Sequence, residues 1–236
     1  MSESENQTMK ISYFPGCTLR TTAKNFEDSS LASAAALGIE LVELPKWYCC
    51  GTVYSLASDD LIHQRAPIRT LLRTKEAGDD RVVTLCAMCY NTLKRANQLI
   101  RGDEEKREKI NSFMYEEETD YNGEVEVYHL LQLLRDQVGF LRIGEKVKKP
   151  LRGLKVAPYY GCLLVRPVEA GFDDPEEPRV LDDLLRTLGA QVIDHPYKTE
   201  CCGSYNTVDR VDLVADRTRE IVGAAKRRGA DLLVTS

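Results

Sequence analysis

The 236-residue chain is 43% hydrophobic and 29% charged, the composition of a folded globule with room for one large domain or two smaller ones. Its net charge of −5 argues against general nucleic-acid binding, which needs a basic face, and no run of about 18 apolar residues is present to span a membrane. The polar N-terminal stretch MSESENQTMKISYF has neither the basic flank nor the apolar centre of a signal peptide, so a cytoplasmic location is expected; structural disulfides are rare there, and eight cysteines call for another explanation.

After a short leader (1–9), KISYF at 10–14 reads as a strand running into a turn at Gly16 and Cys17. NFEDSSLASAAALG (25–38) predicts a helix, with an Asn start, early acids, an alanine-rich body and a terminal Gly38. A strand through IELVEL follows, broken at Pro45, and leads to Cys49, Cys50 and Gly51. DDLIHQRAPIRTLLRTKEAG (59–78) is amphipathic, with Pro67 marking a helix start or a kink. The loop and strand of GDDRVVTLCAMC carry Cys86 and Cys89, and the charged run 91–118 predicts one or two long helices whose polar face is solvated. The basic, Pro- and Gly-containing GEKVKKPLRG (144–153) marks a linker, placed at 146–153 between domains 10–145 and 154–236. Beyond it KVAPYYGC predicts a strand ending at Cys162. A helix over 176–189, a strand to Pro196, the pair Cys201–Cys202 with Gly203, a helix over 211–229 and a final strand from Asp231 complete the chain.

The chain is thus written twice. KISYFPGC pairs with KVAPYYGC, LGIELVELPKWYCCG with LGAQVIDHPYKTECCG, and GDDRVVTLC with GADLLVTS. The offsets are nearly constant, at 145 from Cys17 to Cys162, 152 from Cys49 to Cys201 and 151 from Asp80 to Asp231. Agreement at three places in the same order argues for a duplicated unit. Strands alternating with helices predict an α/β fold, each half a small, mostly parallel sheet with flanking helices.

All eight cysteines fall into two sets: Cys17, Cys49, Cys50, Cys86 and Cys89, then Cys162, Cys201 and Cys202. The long gaps within each set suit ligands at the ends of different strands, which converge on one rim of an open sheet. Zinc takes four ligands, usually in two short knuckles; the first set has five thiols and one knuckle. A vicinal disulfide at Cys49–Cys50 leaves the spaced cysteines unexplained. Adjacent thiols suit an object of several metal atoms, and the following glycine lets the backbone approach it. Iron–sulfur clusters are therefore favoured, with zinc and plain thiols as the competing readings.

At this point the pattern C-x31-CCG-x34-C-x-x-C, with SYFPGCTLR, WYCCGTVYSLASDD, TLCAMCYNTLKRAN, APYYGCLLVRP and TECCGSYNTV, resembles the cysteine-rich CCG domain. Apart from its leader the chain is similar to the B subunit of heterodisulfide reductase, in which that domain occurs twice. The resemblance implies a non-cubane 4Fe-4S cluster held by Cys17, Cys49, Cys50, Cys86 and Cys89, and part of a second held by Cys162, Cys201 and Cys202. It implies reduction of a disulfide (CoM-S-S-CoB or a related one), with electrons from two partners, a ferredoxin-like iron–sulfur protein and a flavin-containing one. More distant CCG proteins serve lactate, glycolate and glycerol-3-phosphate oxidation and some succinate or fumarate reductases, which keeps an electron-relay role open; a zinc-stabilised interaction module is the third reading. The second CxxC would begin just past Ser236. Three expectations compete there: a truncated fragment, a split gene, or a UGA codon read as selenocysteine. The chain alone is expected to be short of cluster in its second half.

Outside the cysteines, Arg20 and Arg166 hold matched places after the first cysteine of each repeat and are candidates for balancing cluster charge or binding a carboxylate or phosphate. His195 and Lys198 stand close before Cys201 and are further substrate-binding candidates, each weighed against an ordinary packing or surface role. His63 and His129 lack ligand spacing. Trp47 and Tyr48 either shield a cluster or belong to the core. Neither GxGxxG nor a Walker loop occurs, so no flavin or nucleotide is expected in this chain.

Overall fold

The computed structural model describes residues 8–52 and 61–236. Most of the leader, residues 53–56 after the first cysteine pair, and the 59–60 start of the predicted 59–78 helix lie outside them. The chain divides into two compact units between Leu130 and Leu131.

In the first unit β1 (Met9–Tyr13) is flanked by β2 (Ile39–Glu43) and β3 (Arg81–Thr84), and β4 (Glu126–His129) pairs on β3. All pairings are parallel and the order is β2-β1-β3-β4. Each return to the start of a parallel strand needs a crossover, and helices supply it: α1 (Gly16–Leu19) and α2 (Lys24–Ala36) before β2, α3 (Arg65–Glu76) before β3, and α4 (Ala87–Gly102) and α5 (Glu104–Phe113) before β4. The central strands are buried on both faces, with Ile11, Val82 and Val83 at 0% exposure; helix residues Ile68, Leu71, Leu93 and Ile100 are equally buried. Pro67 lies in the first turn of α3, where its missing N–H costs nothing. The charged run forms two helices, because Asp103 adopts extended backbone and its carboxylate accepts from the Lys106 N–H at 3.0 Å, capping α5.

The second unit repeats the order. β5 (Lys155–Pro158) lies between β6 (Gln191–Val192) and β7 (Leu232–Val234), both parallel to it. After α6 (Leu130–Leu133), a π-helical turn at Leu134–Val138 and α7 (Phe140–Lys146) precede this sheet, and α7 packs on α8 (Val180–Thr187). The last crossover is α9 (Val211–Arg227). The α/β reading with two small parallel sheets is what the structure shows. The sequence reading assigns no strand at 126–129, where the alternation is only Val125 and Val127 deep beside a leucine-rich run, and no helix at 140–146.

Among the described residues no helix is long and apolar enough to cross a membrane.

Candidate functional site

The strand order explains where the cysteines go. In each unit the chain leaves the central strand, visits one neighbour and crosses to the other. The crevice at that switch lies beyond the carboxyl ends of the strands. Cys17 follows β1, Cys49 and Cys50 follow β2, and Cys86 and Cys89 follow β3. Cys162 follows β5, and Cys201 and Cys202 follow β6.

The five thiols of the first unit form a continuous chain of contacts. Cys17 meets Cys49, Cys49 meets Cys50, Cys50 meets Cys89 at 3.6 Å between sulfurs, and Cys89 meets Cys86. Cys50 and Cys89 are buried, Cys86 half-buried, Cys17 and Cys49 exposed. Hydrogen bonding with the Cys89 thiol, whose one S–H serves Cys50 or Cys86 at a time, holds Cys50 down at about 6 and Cys86 at about 7, while burial opposes both. Hydrogen bonding to these two sulfurs, with burial, holds Cys89 itself well above the thiol range. For Cys49 the Gly51 N–H pulls downward, but burial and the Cys50 and Cys17 sulfurs outweigh it and leave the thiol raised. Thr52 adds a hydroxyl 2.8 Å from the Cys50 sulfur.

Two glycines permit this gathering. Gly16 has φ +72°, and a Cβ there would stand 2.8 Å from the Cys89 sulfur. Gly51 has φ +70° directly after the cysteine pair, and Gly203 repeats it at +72°. Such backbone favours glycine.

In the second unit Cys162, Cys201 and Cys202 are mutual neighbours; burial, then the Cys201 sulfur, push Cys162 up to about 12. The Gly203 N–H donates to the Cys201 sulfur at 3.3 Å. Tyr159 occupies the place of Phe14, three residues before the first cysteine. Its hydroxyl donates to the Glu200 carbonyl at 2.7 Å, and burial with the nearby Cys202 sulfur holds the phenol far above its usual range. Tyr205 is raised too, chiefly by Cys201. Arg217, on α9, donates to the Cys201 carbonyl at 3.3 Å and to Glu200 at 2.8 Å. Sequence reasoning missed Thr52, Tyr159, Tyr205 and Arg217; only Tyr159 had a signal, its match to Phe14 in the repeat.

The four remaining candidates are each engaged by the fold. Arg20 pairs with Glu27 and Glu43. Arg166 donates to the Thr199 carbonyl at 3.1 Å and to Glu176 at 2.7 Å. His195 is buried, its Nε2 2.9 Å from the Pro158 carbonyl. Lys198 reaches Glu177 at 2.9 Å and Asp194 at 3.1 Å; burial would lower its pKa, but the two carboxylates raise it. Trp47 donates to Glu43 and stands edge-on to Phe14 at 5.6 Å; Tyr48 lies under the Arg69 guanidinium at 5.5 Å.

Among the described residues no three His, Cys, Asp or Glu side chains are grouped as around a single metal ion. The donors are thiols strung from three strand ends, with no imidazole or carboxylate among them, and that soft set fits a thiolate-bound iron–sulfur group better than zinc.

The model of the cysteine-rich CCG domain matches residues 11–94 and again 156–236. The chain is 34% identical over 228 residues to the 8-methylmenaquinol:fumarate reductase membrane anchor subunit of Wolinella succinogenes, covering 96% of this chain and 78% of that protein. It is 31% identical over 240 residues to a protein of Archaeoglobus profundus described as like the B subunit of heterodisulfide reductase, covering 97% and 78%. With the B subunit of the ferredoxin/F(420)H(2)-dependent CoB-CoM heterodisulfide reductase of Methanosarcina acetivorans it shares 30% over 197 residues, 83% of this chain and 65% of that one. A solved structure of a hypothetical protein from Helicobacter pylori has the same fold at 12% identity, with a TM-score of 0.72 over 100% of this chain and 43% of that one. The chain therefore belongs to the cysteine-rich CCG family, carries the domain twice, is related over most of its length to the B subunit of heterodisulfide reductase, and is an iron–sulfur redox subunit.

Proposed function

We propose that the chain is the catalytic B subunit of a heterodisulfide reductase-like complex, reducing a disulfide at non-cubane 4Fe-4S clusters. The observation that carries the reading is the chain of five contacting thiols at the strand ends of the first unit, repeated in part by Cys162, Cys201 and Cys202. Cys17, Cys49, Cys50, Cys86 and Cys89 would hold one cluster, and Cys162, Cys201 and Cys202 would contribute to a second. Bound there, such clusters supply the two electrons that, with two protons, turn one disulfide into two thiols.

The polypeptide's own part is to hold the donors ready. Cys50, at about 6, is mostly thiolate at neutral pH and Cys86, at about 7, is about half so; thiolate is the form a metal requires. Phe14 and Trp47 pack edge-on to each other beside the first set and give it aromatic neighbours. In the second set the Tyr159 hydroxyl adds a polar group where Phe14 has none, so the two halves offer unlike surroundings. Electrons would arrive from a ferredoxin-like iron–sulfur partner fed by a flavin-containing one, in the cytoplasm, with CoM-S-S-CoB or a related disulfide as substrate.

The 34% identity to a fumarate reductase membrane anchor subunit favours a second reading, an electron relay in a complex whose chemistry lies elsewhere. Anaerobic purification with the native partners separates the two. The first reading expects bound iron and sulfide and the release of two thiols per disulfide under reducing conditions. Cluster reduction without thiol release selects the relay, and protein free of iron defeats both. Recovery of the chain in washed membranes would overturn the cytoplasmic assignment.

A further inference from the structure

Arg20 and Arg166 do the same mechanical work in the two units. Arg20 closes α1, the turn of helix that carries Cys17. Its guanidinium reaches Glu27, which is fully buried on α2, and Glu43, the last residue of β2. Glu43 also accepts from Trp47 at 3.2 Å, two residues before Cys49. One planar fork thus joins the Cys17 turn to the segment that delivers Cys49 and Cys50. In the second unit the Cys162 carbonyl accepts from the Arg166 N–H at 2.8 Å, and the Arg166 side chain reaches forward to the Thr199 carbonyl, two residues before Cys201. The Lys198 carbonyl reinforces the join by accepting from the Tyr160 and Gly161 N–H groups at 2.8 and 3.1 Å.

We infer that Arg20 and Arg166 are matched positioning residues: each ties the turn bearing the first cysteine of its unit to the segment that leads into the paired cysteines. Both guanidinium groups are engaged by the fold: Arg20 faces two carboxylates, and Arg166 faces Glu176 as well as the Thr199 carbonyl. The rigid fork matters more than the charge, because an exposed ion pair stabilises little while two bonds from one plane fix a direction. The inference concerns the same sulfur sets as the proposed function, but its test is read on metal-free protein; absence of iron would defeat that function and leave this inference standing.

The metal-free, reduced full chain is treated with a short bifunctional thiol reagent, and the bridged cysteines are mapped by mass spectrometry. Arg20→Met is expected to lower Cys17–Cys49 bridging several-fold and leave Cys162–Cys201 bridging unchanged; Arg166→Met does the reverse. Arg20→Lys, able to satisfy one carboxylate at a time, recovers part of the yield. Glu43→Ala keeps Arg20 and its buried partner Glu27 but removes the acceptor that Arg20 and Trp47 share, and is expected to reproduce the loss, so the test survives if Arg20→Met fails to fold. Wild-type bridging in the folded Arg→Met variants or in Glu43→Ala overturns the inference. A raised KM for an anionic disulfide with bridging unchanged does so too, by assigning the arginines to substrate.

Discussion

His129 shows how one buried group makes this fold sensitive to acid. It ends β4 at 1% exposure, its Nε2 lies 3.0 Å from the Leu85 carbonyl, and Tyr90 stands edge-on at 5.9 Å. Burial pushes its pKa down to about 4, so the folded ring is neutral where an unfolded one, near 6.5, takes a proton. The unfolded state therefore gains protons first. No stability is lost above about pH 6.5; the loss grows as pH falls from there to about 4 and reaches about 3 kcal/mol. Denaturant unfolding followed from pH 7 to 4 should show this decline, and His129→Gln should flatten it over that interval. Gly16 is a second residue whose identity is dictated locally. With φ +72° and the Cys89 sulfur 2.8 Å from any added Cβ, Gly16→Ala is expected to cost about 1 kcal/mol or more in backbone strain alone. It should also displace Cys89, lowering the iron held by the first unit while leaving the second unaffected; an unchanged iron content in a less stable protein would separate strain from site.

Helix α4 bears the load of holding β4 in register. Its Asn97 donates to the Val125 carbonyl at 2.7 Å and accepts from the Tyr121 hydroxyl at 2.6 Å, which itself accepts from the Val125 N–H at 3.3 Å. Asn97 and Tyr121 are 1% and 0% exposed, so every polar atom lost strands a partner away from water. Asn97→Ala should destabilise the first unit by about 2–4 kcal/mol, since more than one buried group is stranded. Tyr121→Phe keeps the ring and should cost about 1–3 kcal/mol. Equal losses in chemical denaturation would mean that the hydroxyl carries the whole network. The next loop is held more simply. Glu117 is gripped by Arg69 and Arg73 and its carboxyl is kept below the usual range by them against the pull of burial. None of this could be read in advance: Asn97 sits 28 residues from its carbonyl partner, and no spacing rule links them.

Across the whole molecule the duplication governs what substitutions should do. Cys17→Ser combined with Cys50→Ser is expected to remove the iron of the first centre only, and Cys162→Ser with Cys201→Ser that of the second only. Iron and acid-labile sulfide per chain, measured after anaerobic reconstitution, check this; loss of all iron from either variant would point to one shared centre. Much of this plan was legible beforehand. The repeats at three matched places, the alternation of strand and helix, and the CCG and CxxC spacings led to the parallel α/β units and to the CCG family, because backbone periodicity and glycine-dependent turns are local properties of sequence. The short strand at Glu126–His129, the helix at Phe140–Lys146 and the supporting contacts of Thr52, Tyr205 and Arg217 were not legible, since their partners are set by packing.

What the sequence determined by itself was the inventory: two sets of thiols, each following predicted strand ends, and the glycines that let the chain turn beside them. Tertiary structure alone decided which sulfurs touch, that Cys89 lies beside both Cys50 and Cys86, and that Arg20, Arg166, His195 and Lys198 each bond to a group of the fold. The physical reason is distance along the chain. A turn or a helix is fixed by neighbours a few residues apart, whereas a hydrogen bond from Arg166 to Thr199 or from Cys89 to Cys50 exists only after parallel strands have brought their ends to one rim.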